Sequence, residues 1–228
     1  RDLVLGVPAM TVTDRTGYLG RVIVYRNLGA AGFERRPSRV VELADRMAVA
    51  SFGHGVDVVT TSAGDVLLAR APRYHRHPTM DVLTPELRGA VFAFAPGSLG
   101  TAGTAEAPRY YTTAVARARF VGELNDGAGA AAAVGDVDGD GADDYLLGGW
   151  ISGLPTPGRV WAFTGPSLAR SLMTGAALAS ASTLRGAGTE TFGSALAVDR
   201  ATAGPARAVA VAAALAGVVL AWRRRSSR

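Results

Sequence analysis

The chain contains no cysteine, no lysine and no glutamine. Without thiols there is no disulfide framework and no thiolate metal site, although compartment does not follow, since secreted proteins without cysteine are common. Without lysine there is no phosphate-cradling G-x-x-x-x-G-K loop. All 24 basic residues are therefore arginine, a choice that reads as coding bias towards alanine, glycine and arginine. Aromatic residues make up only 7% and histidines number three, too few to interleave with arginines as stacking platforms. The arginines are scattered apart from the run Arg223, Arg224 and Arg225, so the net charge of +5 does not point to nucleic acid. There is no initiator methionine and no signal-like leader, and the sequence is expected to be a fragment or a processed piece.

What is present is glycine and short apolar runs. The 228 residues include 29 glycines and 11 prolines, with 48% hydrophobic residues, which favours short elements joined by tight turns around a sizeable core. One six-residue pattern occurs four times: GRVIVY (20–25), GAVFAF (89–94), GRVWAF (158–163) and GVVLAW (217–222). A glycine followed by alternating β-branched or aromatic residues is the signature of a short strand entered through a turn. Each copy is preceded by a second apolar run: DLVLGVP (2–8), DVLLARAP (65–72), DYLLGGW (144–150) and the weaker AVAVAAA (208–214). Such runs fit strands buried on both faces. A Phe-Gly pair recurs at Phe52-Gly53 and Phe192-Gly193, with Phe120 to Gly122 as a looser copy. A further β-rich piece, RVVELA (39–44), YYTTAV (110–115) or ASTLR (181–185), completes four strands per unit. Four short antiparallel strands at a fixed period describe the blade of a β-propeller, whose faces are hidden only by neighbouring blades. The fold expected is all-β, about four blades in one propeller segment over 1–228. Its divisions are a partial blade 1–51, blades 52–119 and 120–191, and a partial blade 192–225.

The densest chemistry is GDVDGDGADDYLLGG (135–149). Asp136, Asp138 and Asp140 stand at positions 1, 3 and 5 of a loop, Ala142 at 7 and Asp144 at 9. Ca²⁺ takes six to eight oxygens at about 2.3–2.6 Å, and alternating carboxylates on a curled loop supply them, with position 7 giving a backbone carbonyl. Position 12 is Leu147, which rules out the bidentate acid of an EF-hand, and the sequence runs directly into a strand. The expected metal ligands are thus Asp136, Asp138, Asp140, the carbonyl of Ala142, and Asp144, with Asp143 turned to solvent. The bland alternative is a metal-free acidic turn, since Asp-Gly pairs make good hairpins.

Phe-Gly, a D-x-D-x-D-G-x-x-D loop, an apolar strand and then G-x-V-x-x-F together resemble the FG-GAP repeat of the integrin α-subunit propeller. The pattern is also similar to the propeller of GPI-specific phospholipase D. The resemblance spans Asp2 to Trp222 and implies part of a seven-bladed ring, with Ca²⁺ on one face and protein binding on the opposite face or rim. Only the third unit keeps the whole loop. The second, FGHGVDVVTTSAGDVLL, is three residues shorter and lacks the alternating acids. In the fourth, Ala208 lies sixteen residues after Phe192, the family distance for the last loop aspartate, and its ligands are gone. Asp2 is read as the last ligand of a truncated first loop.

Residues 208–225 admit a second reading, a membrane anchor stopped by arginines. The apolar run Ala208 to Trp222 has 15 residues, about 23 Å of helix against a bilayer core near 30 Å, so two strands of a final blade are preferred. His75 and His77 share a strand face but lack a third ligand, and are expected on an exposed loop. No catalytic constellation is visible, so the chain is expected to be non-enzymatic. It is read as a calcium-binding extracellular or cell-surface module for adhesion, binding a protein or glycan through the loops 26–38 and 71–88, both expected on one side of the blades. The alternative is the accessory propeller of a GPI-specific phospholipase D-like enzyme whose catalytic domain lies outside this chain.

Overall fold

The computed structural model describes residues 2–8, 20–43, 50–75, 87–95, 97–100, 103–104, 107–151, 157–187 and 192–198, with the backbone of 209–212 and 219–222. They build a mostly β structure of four small sheets. The first holds β1 (Leu3–Val7), β2 (Arg21–Tyr25) and β3 (Arg39–Glu42). The second begins with β4 (Gly55–Thr61), β5 (Gly64–Ala71) and β6 (Ala90–Phe94). Next in the chain come β7 (Arg109–Thr112) and β8 (Ala118–Val121), discussed below. The third sheet is β9 (Ala128–Gly135), β10 (Asp144–Gly149), β11 (Arg159–Phe163) and β12 (Ser182–Arg185). The fourth contains β13 (Ala195–Val198), β14 (Val209–Ala212) and β15 (Val219–Trp222). The C-terminal run is therefore two antiparallel strands, and among the described residues no helix is long and apolar enough to cross a membrane.

Alternation along the strands explains how the sheets stack. In β10, Tyr145 and Leu147 enter a core shared with Val66, Leu68 and Val91 of the second sheet. Leu146, between them, enters a different core with Phe192, Leu196 and Val198. In β6 the odd and even positions divide likewise: Phe92 and Phe94 join Val22, Val41 and Phe52 on the first-sheet side, while Val91 and Ala93 face the third sheet. A strand with apolar residues on both faces sits between two other layers, which is why β6 and β10 are buried throughout while the edge strand β12 is exposed at every residue. Each apolar core thus lies between consecutive sheets. T-shaped pairs of Phe52 and Tyr74 with Phe92 (centroids 5.6 and 5.8 Å) lock one core, and Phe120 against Phe163 (5.2 Å) another.

Glycine permits this stacking. A Cβ on Gly6 would fall 1.9 Å from the Gly53 carbonyl oxygen, and one on Gly148 at 1.9 Å from that of Gly193. Gly53 and Gly193 have φ of +81° and +78° and lie against the carbonyls of Arg21 and Arg159. The same contact identifies their counterpart in the third unit. Gly20 bridges Phe52 and Gly89 bridges Ala128, both in parallel, so Ala128-Gly129 takes the Phe-Gly place. Ala128 also stands sixteen residues before Asp144.

Three expectations are corrected by this geometry. Phe120 to Gly122 is not the third unit's Phe-Gly copy, because β8 completes the second sheet by pairing with β6, and Phe120 packs on Trp161 and Phe163. The segment 110–115, assigned as the second unit's outer strand, supplies β7 instead, which pairs in parallel with β3 and closes the first sheet's edge. The all-β expectation missed a ten-residue helix, α1 (Gly165–Thr174), between β11 and β12. Its signals were local: Pro166 in the first turn, Leu168 and Leu172 one turn apart, and Gly175 beyond the end with φ of +71°. Leu168 and Leu172 bury against the core between the second and third sheets.

Candidate metal centre

The aspartate loop joins β9 to β10, from Gly135 to its register partner Asp144. Both strands are anchored by their apolar faces, so the eight residues between them must reverse direction, and Gly139 and Gly141 do so at φ of +85° and +90°. Carboxylate oxygens of Asp136, Asp138 and Asp144 come within 4.8 Å of one another. Asp136 and Asp144 are buried, 6% and 2% exposed, while Asp138 is open to solvent.

Backbone amides hold the acids in place. Gly139 and Gly141 donate to the two oxygens of Asp136 (2.6 and 3.1 Å). Val137 and Asp138 donate to Asp144 Oδ2 (2.7 and 3.3 Å), and Gly165, the first residue of α1, donates to Asp144 Oδ1 (3.0 Å). Asp144 therefore meets the positive end of a helix dipole. Burial nonetheless dominates, raising its pKa above the ordinary 3.8; the amide bonds oppose that shift and the Asp138 charge adds to it.

Of the four carboxylates expected as ligands, three converge. Asp140 lies outside the converging group and uses Oδ1 to accept the Ala142 amide at 2.8 Å. Asp143, expected in solvent, is half-buried, its carbonyl oxygen close to Gly165. Three carboxylate oxygens on one hairpin, with no histidine joining them among the described residues and no cysteine in the chain, are the donor set of a hard cation such as Ca²⁺ or Mg²⁺. The residues present fit such an ion.

The candidate loops stand apart from one another. Loop 26–38 follows β2 and loop 71–88 follows β5, strands that occupy successive antiparallel places in their sheets, so the loops leave opposite ends. This overturns their expected common side. Loop 26–38 shares the metal hairpin's end: Asp2 Oδ1 accepts the Asn27 amide (3.1 Å) as Asp144 accepts that of Gly165. It exposes Leu28 and Phe33 and is closed by the Arg26–Glu34 ion pair. Residues 76–86 of the other loop, with His77, lie outside the described residues. His75 is buried rather than exposed.

Two polar groupings were not anticipated. Arg70 donates to Asp57 Oδ2 (3.0 Å) and to the Gly129 carbonyl (3.1 Å), and the Tyr145 hydroxyl donates to the same Asp57 oxygen (3.1 Å), linking the second and third sheets. Arg159 pairs with Glu123 (2.6 Å) and Asp126 (3.2 Å), holding the 122–127 turn on β11. Both sets unite residues far apart in sequence, and only the odd charged residue within an apolar strand could have hinted at them. No protein-family model matches the chain, and no curated protein matches it.

Proposed function

We propose that this chain is a segment of a calcium-stabilised β-propeller of the FG-GAP kind, a non-enzymatic module that works outside the cell or at its surface and binds a protein or glycan. The observation that carries the reading is the convergence of Asp136, Asp138 and Asp144 at the head of one hairpin. Three carboxylates that close repel unless a cation lies among them. A bound Ca²⁺ supplies the compensating charge, with Asp140 and the Ala142 carbonyl as further oxygen donors. The stacking of four small sheets, each sharing a core with the next, supports a propeller arrangement. A scaffold of that kind presents function on its connecting loops. By the family pattern the partner meets the end away from the ion, where loop 71–88 leaves the second sheet.

The test is thermal melting with Ca²⁺ and with a chelator, for the parent and Asp138→Ala. Ligand at a hundred times its dissociation constant stabilises by about 2.7 kcal/mol. For a chain of this size that is roughly 5–11 °C in Tm. Asp138→Ala, an exposed position whose loss leaves the core intact, is expected to abolish most of the calcium-dependent shift. A parent that melts identically in Ca²⁺ and chelator removes the metal from the reading.

A further inference from the structure

The outer edge of the second sheet carries a cleft that no part of the calcium reading uses. It encloses about 420 Å³, within the range of small-molecule sites. Its floor is apolar: Leu43, Tyr74 and Phe92 contribute, each 4% exposed or less. Its rim holds Arg117 and Arg119, and among the described residues no carboxylate lines it. The two arginines are not equivalent. Arg117 is held by α1, donating from Nε to the Leu172 carbonyl (2.8 Å) and from a terminal nitrogen to that of Met173 (2.9 Å). Arg119 is exposed and makes no side-chain hydrogen bond or ion pair with any described residue. The pleat of β8 turns Ala118 and Phe120 towards the third sheet, so Arg119 projects to the side of its cross-strand partner Phe92, into the cleft. A guanidinium unengaged by the described residues, beside an apolar floor, is complementary to a ligand with an anionic head and a compact apolar body.

We infer that this cleft is a binding site for a small anionic amphiphile, such as an aryl or short-chain carboxylate, with the apolar body on Phe92 and Tyr74 and the carboxylate on Arg119. The site is independent of the metal. Ten residues of α1, about 15 Å, separate the C-terminal end that walls the cleft from the N-terminal end that meets Asp144.

The experiment is calorimetric titration of the whole chain, in the presence of Ca²⁺, with 2-naphthoate and with the neutral 2-naphthalenemethanol. Naphthoate is expected to bind one to one, about tenfold or more tightly than the alcohol, since one charge-assisted hydrogen bond is worth at least that factor. Arg119→Ala should remove the preference for the anion while leaving the melting temperature in place, and Arg119→Lys should restore part of it. Ala176→Trp, on the cleft wall, should block both compounds. The inference is overturned if neither compound saturates, if both bind equally, or if Arg119→Ala leaves the naphthoate affinity unchanged. Because Ca²⁺ dependence is read separately by melting, failure here is distinct from failure of the metal reading.

Discussion

The polar link between the second and third sheets gives the sharpest energetic prediction. Tyr145 is fully buried, and its hydroxyl has Asp57 Oδ2 as acceptor. Arg70 reaches the same oxygen, its side chain 14% exposed and that of Asp57 18%. A hydrogen bond to a charged acceptor is worth about 1.5–3 kcal/mol. Tyr145→Phe deletes the donor without leaving an orphan, since Asp57 keeps Arg70, and it preserves the ring's packing on Phe163. The expected loss is therefore at the low end, about 1–1.5 kcal/mol, or roughly 2–6 °C in Tm. Asp57→Leu is more severe. It leaves a buried hydroxyl without an acceptor and a mostly buried guanidinium without its counter-charge, a loss of about 3 kcal/mol. The two substitutions should not add. Once Tyr145 is phenylalanine, one of the two orphans is gone, and Asp57→Leu should cost about 1 kcal/mol less than in the parent. The assay is urea unfolding of the four proteins in a double-mutant cycle, in constant Ca²⁺. Additivity within about 0.5 kcal/mol would refute the coupling and with it the claim that this network joins the two sheets.

Other outcomes follow from single positions. Gly148→Ala places a Cβ 1.9 Å from the Gly193 carbonyl and should cost about 3 kcal/mol or more of stability in urea unfolding, whereas Gly139→Ala meets nothing within 4 Å and should cost only the strain of its +85° φ, about 1–2 kcal/mol. Arg117→Ala frees two carbonyls at the end of α1 and should speed amide exchange in 168–175 selectively, for about 1 kcal/mol of local stability. Burial raises the Asp126 pKa above 3.8, against the pull of the Glu123 amide and Arg159. The folded form then holds that proton more tightly, so the group's contribution is most favourable at low pH and declines as pH rises from about 3.8 through the raised value. Asp126→Asn removes this share, and the parent's stability relative to that variant should fall across the same window. The Tyr145 pKa is raised well above 10.0, first by burial and then by the Asp57 charge. Its phenol therefore contributes stability below pH 10 that is lost in strong alkali, and Tyr145→Phe should show the smaller alkaline loss.

How much of this was legible depended on whether a feature was local. The strands in GRVIVY, GAVFAF and GRVWAF form in the expected places because glycine, β-branching and period-two alternation act within six residues. The aspartates that converge were visible for the same reason, since the loop itself brings them together. Which sheet a strand joins was not legible. RYYT (109–112) has the composition of any edge strand, and it is the parallel ladder to β3, with Gly103 and Arg109 donating to the Ser38 carbonyl, that fixes its place. Phe120 misled because a phenylalanine two residues before a glycine imitates the repeat, whereas the backbone requirement belongs to the glycine. Ala128-Gly129 meets that requirement without an aromatic ring at all. The helix was missed because the four-strand period accounts for β11 and β12 and says nothing of the stretch between them, where Pro166, Leu168, Leu172 and Gly175 are only local signals.

Asp2 stands just before β1 and Asp144 opens β10, and each accepts a backbone amide just past the next strand. In the first sheet the remaining oxygen of Asp2 meets the guanidinium of Arg39 at 3.3 Å. In the second, the hairpin is tightened to a two-residue turn, and Asp65 takes the hydroxyl of Thr60 at 2.9 Å. Asp144 is more buried than either, yet no ion pair among the described residues includes it or Asp138. An acid at this place is thus compensated by an arginine in one unit and a hydroxyl in another. In the third unit backbone amides, one of them at the N-terminus of α1, meet Asp144, but the side chains that arrive are two more carboxylates, whose added negative charge a bound cation would offset. If Asp138→Arg, which supplies that positive charge covalently, stabilised the calcium-free chain while abolishing its response to Ca²⁺, the compensation argument would hold in its strongest form. If it destabilised the chelated protein, counter-charge would not be what this position lacks.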